Sequence, residues 1–133
     1  MEGFAFECPI QVRWRDVDAL GHVNNATIVT YLETARTELW RARFGGGSAI
    51  PFVVARVEIA YRRQIRLDDA VRVALKVSGL RGARYTFEYV VTANGDVAAQ
   101  ASTLMAHVRP GEVRPSRIPD DLRARLVTLQ NLE

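Results

Sequence analysis

WRDVDALGHVNNATIVTYLETAR, residues 14–36, changes character halfway along. Its first half gathers Asp16, Asp18, Gly21 and His22 into a polar stretch that reads as a loop. From about Asn24 to Phe44 the apolar residues Ile28, Leu32, Ala35 and Leu39 recur at helical spacing, and Val29, Trp40 and Ala42 widen that stripe. The glycines of GGGS, residues 45–48, stop the helix. Upstream, CPIQVRW, residues 8–14, alternates loosely and reads as a strand. The stretch is therefore a strand-to-helix junction carrying an unusual load of polar chemistry.

Beyond the helix the pattern turns to period two. In PFVVARVEIAYRR, Val53, Ala55, Val57, Ile59 and Tyr61 fall on one face, with Arg56 and Glu58 on the other. Val71, Val73, Leu75 and Val77 alternate with polar or small residues, as do Tyr85, Phe87, Tyr89 and Val91. A last, Ala-rich strand covers about 96–108. Asn94-Gly95 is a strong hairpin signal, and Gly79 to Gly82 punctuates the preceding pair. IPDDLRARLVTLQ reads as a short C-terminal helix with Pro119 and two acids at its start. Short connections favour antiparallel neighbours. The fold class is thus α+β, a five-stranded antiparallel sheet around one long helix. The 133 residues fit a single domain, 1–133, with a small core that a partner subunit would help to bury.

Composition narrows the function. No apolar run approaches 18 residues, so no transmembrane helix is expected. MEGFAFECPI has no basic n-region and does not read as a signal peptide. One cysteine, Cys8, excludes an internal disulfide, and a cytoplasmic protein is expected. The net charge is +3, with 17 Arg and the single Lys76. These cations are scattered among 15 acids without a recognition helix or stacking motif, so nucleic acid is not expected as a partner. His22, His107 and Cys8 have no ligand spacing, and no metal is expected.

The junction suggests its own chemistry. A helix N-terminus presents unpaired N–H groups and partial positive charge, suited to an oxygen that becomes an anion. Asp18 lies seven residues before Asn25, where the helix begins, and Gly21 lets the chain turn between them. Acyl transfer needs a nucleophile or base beside a carbonyl and donors for its oxyanion. Asp and Asn in such places also serve as N-caps and turn residues, a purely structural use.

DVDALGHVNNATIVTYLETAR resembles the hot-dog fold acyl-CoA thioesterases of the 4-hydroxybenzoyl-CoA thioesterase type. It is also similar to the plant acyl-carrier-protein thioesterases, which share an Asp-x-x-x-His-Val-Asn-Asn run. VVARVEIAYRRQIRLDDAVRV resembles the family's second and third strands, so the likeness spans roughly residues 8–108. It implies that Asp18 is the catalytic carboxylate, Asp16 a supporting loop group, and that the Asn25 N–H polarises the thioester carbonyl. His22 matches a catalytic position of the plant enzymes, but the 4-hydroxybenzoyl branch has no histidine there. The plant enzymes also place an asparagine where this chain has Leu20. Glu33 matches an acidic helix position near the acyl group. A second branch takes its catalytic carboxylate from that helix, which makes Glu33 the rival to Asp18.

The resemblance further implies an acyl-CoA substrate, no metal or redox cofactor, and a homodimer or homotetramer with sites at the interface. Arg62, Arg63 and Arg66, or Arg81 and Arg84, would meet the coenzyme A phosphates. Arg56, six residues before Arg62, joins His22, Glu33, Arg62 and Arg63 among the expected substrate-binding residues. A non-hydrolytic acyl-CoA sensing module and a hydroxyacyl-thioester dehydratase are the two other activities the fold allows.

Overall fold

The computed structural model describes residues 2–46 and 50–130. Strand β1 (Phe6–Ile10) leads through a 3-10 turn (Trp14–Asp16) to the long helix α1 (Asn25–Arg43). Four strands follow, β2 (Phe52–Tyr61), β3 (Val71–Arg81), β4 (Arg84–Ala93) and β5 (Asp96–His107), and then helix α2 (Asp120–Gln130). The strands make one sheet of order β1-β3-β4-β5-β2, antiparallel at every pairing. This is the hot-dog arrangement the sequence implies. The first strand is displaced from its expected span, because the chain already turns at Trp14–Asp16.

Helix α1 buries Ile28, Tyr31, Leu32, Ala35 and Leu39 against the sheet. Its stripe is narrower than the sequence suggests: Val29 and Ala42 are exposed, and Trp40 is half-buried. Facing it are Val71, Val73, Leu75 and Val77 of β3 and Tyr85, Phe87, Tyr89 and Val91 of β4, all buried. Each such aliphatic side chain contributes about 1.5–3 kcal/mol on leaving water. The Asn24 side chain caps α1 by accepting from the Ala26 N–H at 2.8 Å. At the far end Phe44 closes the helix, and Gly45 and Gly46 take positive φ; Gly47 and Ser48 of the expected stop signal lie outside the described residues.

Asn94 (φ 53) and Gly95 (φ 86) form the β4–β5 hairpin with two left-handed residues, as a type I′ turn demands. The outer face of the sheet is polar, with Arg72 bonded to Glu7 at 2.6 Å. That guanidinium holds the Glu7 carboxyl below its ordinary range. Cys8 is buried in edge strand β1, and desolvation pushes its thiol upward.

Strand β2 departs from the expected alternation. Val54 pairs with Met105, but Arg56 pairs with Leu104, so Ala55 is an extra residue in a bulge. The bulge exchanges the faces of the strand's first part. Phe52 and Val54 join Val57, Ile59 and Tyr61 on the inner face, opposite His107, Met105, Thr103, Ala101 and Ala99, while Val53 joins Arg56 and Glu58 outside. β2 is a sheet edge, and the inner side chains Val54, Val57 and Tyr61 remain 38%, 40% and 44% exposed.

Candidate active site

The loop from Trp14 to Asn24 is stitched mainly through its backbone. Asp18 and His22 are joined at 2.9 Å (Asp18 N–H to His22 C=O), and Val17 and Val23 form an antiparallel bridge. Gly21, at φ 84, donates to the Asp18 carbonyl at 3.0 Å and closes the turn. The Asn24 N–H donates to the Asp16 carbonyl at 2.9 Å, and the Val23 N–H to the Ile65 carbonyl at 2.7 Å. The loop is thereby closed on itself at the start of α1 and tied there to the segment after β2.

Asp16 and Asp18 have opposite environments. Asp16 is buried: its Oδ2 accepts from the Tyr31 hydroxyl at 2.8 Å and from the Arg13 N–H at 2.9 Å. The Arg13 guanidinium stands 3.7 Å from Oδ1. Burial, reinforced by the bond to Asp16, raises the Tyr31 phenol far above its ordinary value, which keeps it a donor. Asp16 is thus a satisfied supporting group. Asp18 is exposed, and only its Oδ1 is engaged, by the N–H groups of Leu20 at 2.9 Å and His22 at 3.4 Å. Its Oδ2 has no donor among the described residues.

At the helix start, Asn24 Oδ1 takes the Ala26 N–H and the Asn24 carbonyl takes the Thr27 N–H. The Asn25 N–H, ahead of every intrahelical acceptor, has no partner among the described residues. The Asn25 carbonyl accepts from the Tyr61 hydroxyl at 2.9 Å. Asn25 and Tyr61 also line a cavity of about 250 Å³, together with Val23, Ile28, Arg62 and Arg63.

The other expected residues divide. Arg62 donates through Nε to Gln100 at 3.0 Å and is otherwise exposed. Arg63 is tied inward: it donates to the Ala93 carbonyl at 2.5 Å and pairs with Asp69 at 3.5 Å and Asp96 at 3.8 Å. It braces the β4–β5 turn as well as lining the cavity. Arg56 sits mid-strand on the outer face beside Glu58 at 3.9 Å and lines neither this cavity nor the one holding Glu33. Arg81 and Arg84 flank the β3–β4 turn, at the sheet end opposite Tyr61. His22 is half-buried, and its Nδ1 is buried without a partner among the described residues. Glu33 is exposed and lines a different cavity, of about 330 Å³, with Arg36, Trp40, Phe52, Tyr85 and Phe87. No ion pair joins Glu33 to Arg36 among the described residues; Arg36 donates instead to the Tyr89 hydroxyl at 3.2 Å. His107 is buried against Ser116, far from His22 in the fold, and no three His, Cys, Asp or Glu side chains among the described residues are grouped to hold a metal.

Two tyrosines escape the sequence reading. Tyr31 falls on the helix's buried stripe and Tyr61 on the apolar face of β2, so each reads as core. Their hydroxyls, which bond the loop and the helix start, are signalled by no spacing.

One long helix against a five-stranded antiparallel sheet of this order is the hot-dog arrangement of the thioesterases. The chain belongs to the thioesterase-like superfamily, whose pattern it matches over residues 12–126. It is 30% identical to the acyl-CoA thioester hydrolase YbgC of Escherichia coli O6:H1, covering 90% of this chain and 93% of that protein. It is 31% identical to the acyl-CoA thioesterase YbgC of Haemophilus influenzae, covering 92% and 93%. A thioesterase from Thermus thermophilus, crystallised with coenzyme A and Zn, superposes with a TM-score of 0.86 at 38% identity, covering 98% of each chain.

Proposed function

We propose that this protein is a cytoplasmic acyl-CoA thioesterase that releases a free acid and coenzyme A. What supports this most is an exposed, half-engaged Asp18 in a backbone-stitched loop that runs into the start of α1, where the Asn25 N–H has no partner among the described residues. The Asn25 N–H holds the thioester oxygen and stabilises the negative charge that grows there. Asp18 then acts through its free Oδ2. As a base it takes a proton from water while the hydroxyl oxygen bonds to the carbonyl carbon. As a nucleophile it forms the anhydride, which water then opens. In both routes the C–S bond breaks and the sulfur leaves as a thiolate that takes up a proton. Arg62, with its fork exposed at the cavity, suits a coenzyme A phosphate.

The same reading includes a homodimer. β2 is a sheet edge whose inner apolar side chains are left half exposed, a surface that a second strand would cover. Antiparallel self-pairing of β2 brings the Tyr61 end of one copy beside the Phe52 end of the other. The thioester held at Asn25 then faces the larger cavity of the second copy, with Glu33 at its rim. A homotetramer would use the polar outer faces, where Arg56 and Glu58 lie.

Thiol release from coenzyme A thioesters spanning acetyl to palmitoyl and benzoyl, wild type beside Asp18→Asn, tests this. Hydrolysis by wild type and its loss in the variant is the expected result. Equal rates for both, or coenzyme A release by neither, would overturn it.

A further inference from the structure

The C-terminal end of α1 lies a full helix length from the Asp18 loop and opens on a cleft of about 400 Å³ between α1, α2 and the residue before β1. Phe44, Ala124 and Leu129 are apolar side chains of this cleft, and Arg43, Arg125 and Thr128 are its polar ones. No Asp or Glu lines it among the described residues, and it shares only Phe44 with the cavity that Glu33 lines. The hydrolysis described above makes no use of it.

Both guanidiniums are held by rings rather than by carboxylates. Arg125 lies over the Phe44 ring at 5.5 Å, and Arg43 over the Phe6 ring at 5.8 Å. Phe44 stacks in turn on Trp40 at 4.9 Å, which fixes its plane. Arg125 has an acid within reach: Asp121 stands one turn earlier on α2, at the spacing and in the order that favour an ion pair. Yet neither Arg125 nor Arg43 makes an ion pair or hydrogen bond among the described residues. Arg41 and Arg117, on the same stretches of chain, do pair with acids, Glu38 and Asp120. A ring takes a guanidinium by its face and leaves its N–H edge open.

Two unpaired cations in one cleft repel each other. The C-terminal end of α1 carries about half a negative charge, which offsets part of one of them. An oxyanion between the two would balance the rest through charge-assisted hydrogen bonds, with the Thr128 hydroxyl as a further donor. The apolar side chains beside it would cover a hydrocarbon body.

We propose that this cleft is a second ligand site, separate from the catalytic loop, for an amphiphile with an oxyanion head, a carboxylate or a phosphate ester on a hydrocarbon tail. The head lies between Arg43 and Arg125, and the tail along Phe44, Ala124 and Leu129.

The test titrates the whole protein with octanoate, octyl phosphate, octanol and octylammonium, which share a tail and differ in the head, and follows the backbone amides by NMR. Octanoate and octyl phosphate should shift the signals of Ala124 and Thr128. The tighter binder of these two should exceed octanol and octylammonium in affinity by about tenfold or more, the value of one charge-assisted hydrogen bond, and it names the head group. Arg43→Gln and Arg125→Gln should each weaken its binding by about tenfold. Octanol binding as tightly as both anions, shifts confined to Asp18, Asn25 and Phe87, or affinity unmoved in both variants would sink the proposal. Both arginines are exposed, so the variants should fold. If circular dichroism shows them unfolded, the head-group series on the wild type decides. None of the four probes is a thioester, so a failure of the hydrolytic reading leaves this result untouched.

Discussion

The Tyr61 hydroxyl donates to the Asn25 carbonyl at 2.9 Å, tying the last residue of edge strand β2 to the first residue of helix α1. The peptide whose N–H is free is thereby anchored through its own residue's carbonyl. Tyr61→Phe should therefore act on turnover more than on stability. The bond is exposed, so unfolding free energy should fall by no more than about 1 kcal/mol. A looser oxyanion donor should lower kcat by roughly tenfold. Steady-state kinetics beside a urea titration separates the two.

Asp18 and Glu33 compete for the carboxylate role, and isosteric variants distinguish them. Asp18→Asn keeps an Oδ1 that accepts from Leu20 and His22, so the loop should hold its shape. Turnover should fall at least about a hundredfold, as for other losses of a group acting on the reacting centre. Glu33→Gln and His22→Ala should each cost less. The reverse ranking would move the catalytic carboxylate to the helix.

Asp16 supports rather than reacts. Tyr31→Phe removes one of the donors to a buried carboxylate, and stability should drop by about 1–3 kcal/mol. Guanidinium unfolding of Tyr31→Phe measures it, and an unchanged midpoint would contradict the anchoring role.

Alkaline conditions should weaken the protein steeply. Burial is the leading cause that raises Tyr31, Tyr85 and Tyr89 above the ordinary phenol value. All three stay protonated in the folded chain when the unfolded chain has begun to ionise, near pH ~10. Raised acids of this kind contribute stability that is present below the unfolded value and lost as pH climbs towards the folded one. Unfolding midpoints should fall from about pH 9 to about pH 11.5, and Tyr31→Phe should show a shallower slope than wild type.

The dimer reading has its own variant. Val57 lies on the inner, half-exposed face of β2. Val57→Asp should leave the monomer folded, place a charge in the paired edge, and abolish both dimer and turnover. Light scattering with circular dichroism would show it; a dimer that persists would place the interface elsewhere.

Much of this was legible from spacing. Ile28, Leu32, Ala35 and Leu39 mark α1 because a helix repeats about every 3.6 residues. Asn94-Gly95 marks its hairpin because both residues tolerate positive φ. That a polar loop carrying Asp18 runs into the helix start at Asn25 could be read from the change of pattern there. The face of Val53 could not, since a bulge at Ala55 leaves no trace in the alternation until the partner strand is known. Arg63 could be counted as basic, but not seen to be spent on Asp69, Asp96 and the Ala93 carbonyl.

The loop that carries Asp18 is held largely by main-chain bonds, from Asn24 to Asp16, from Val23 to Ile65 and between Asp18 and His22. Such bonds are indifferent to which side chains line the cavity farther along the helix. Positions 36 and 40 can therefore drift while the scissile end keeps its geometry. A chain of this design can change its diet without relearning how to cut.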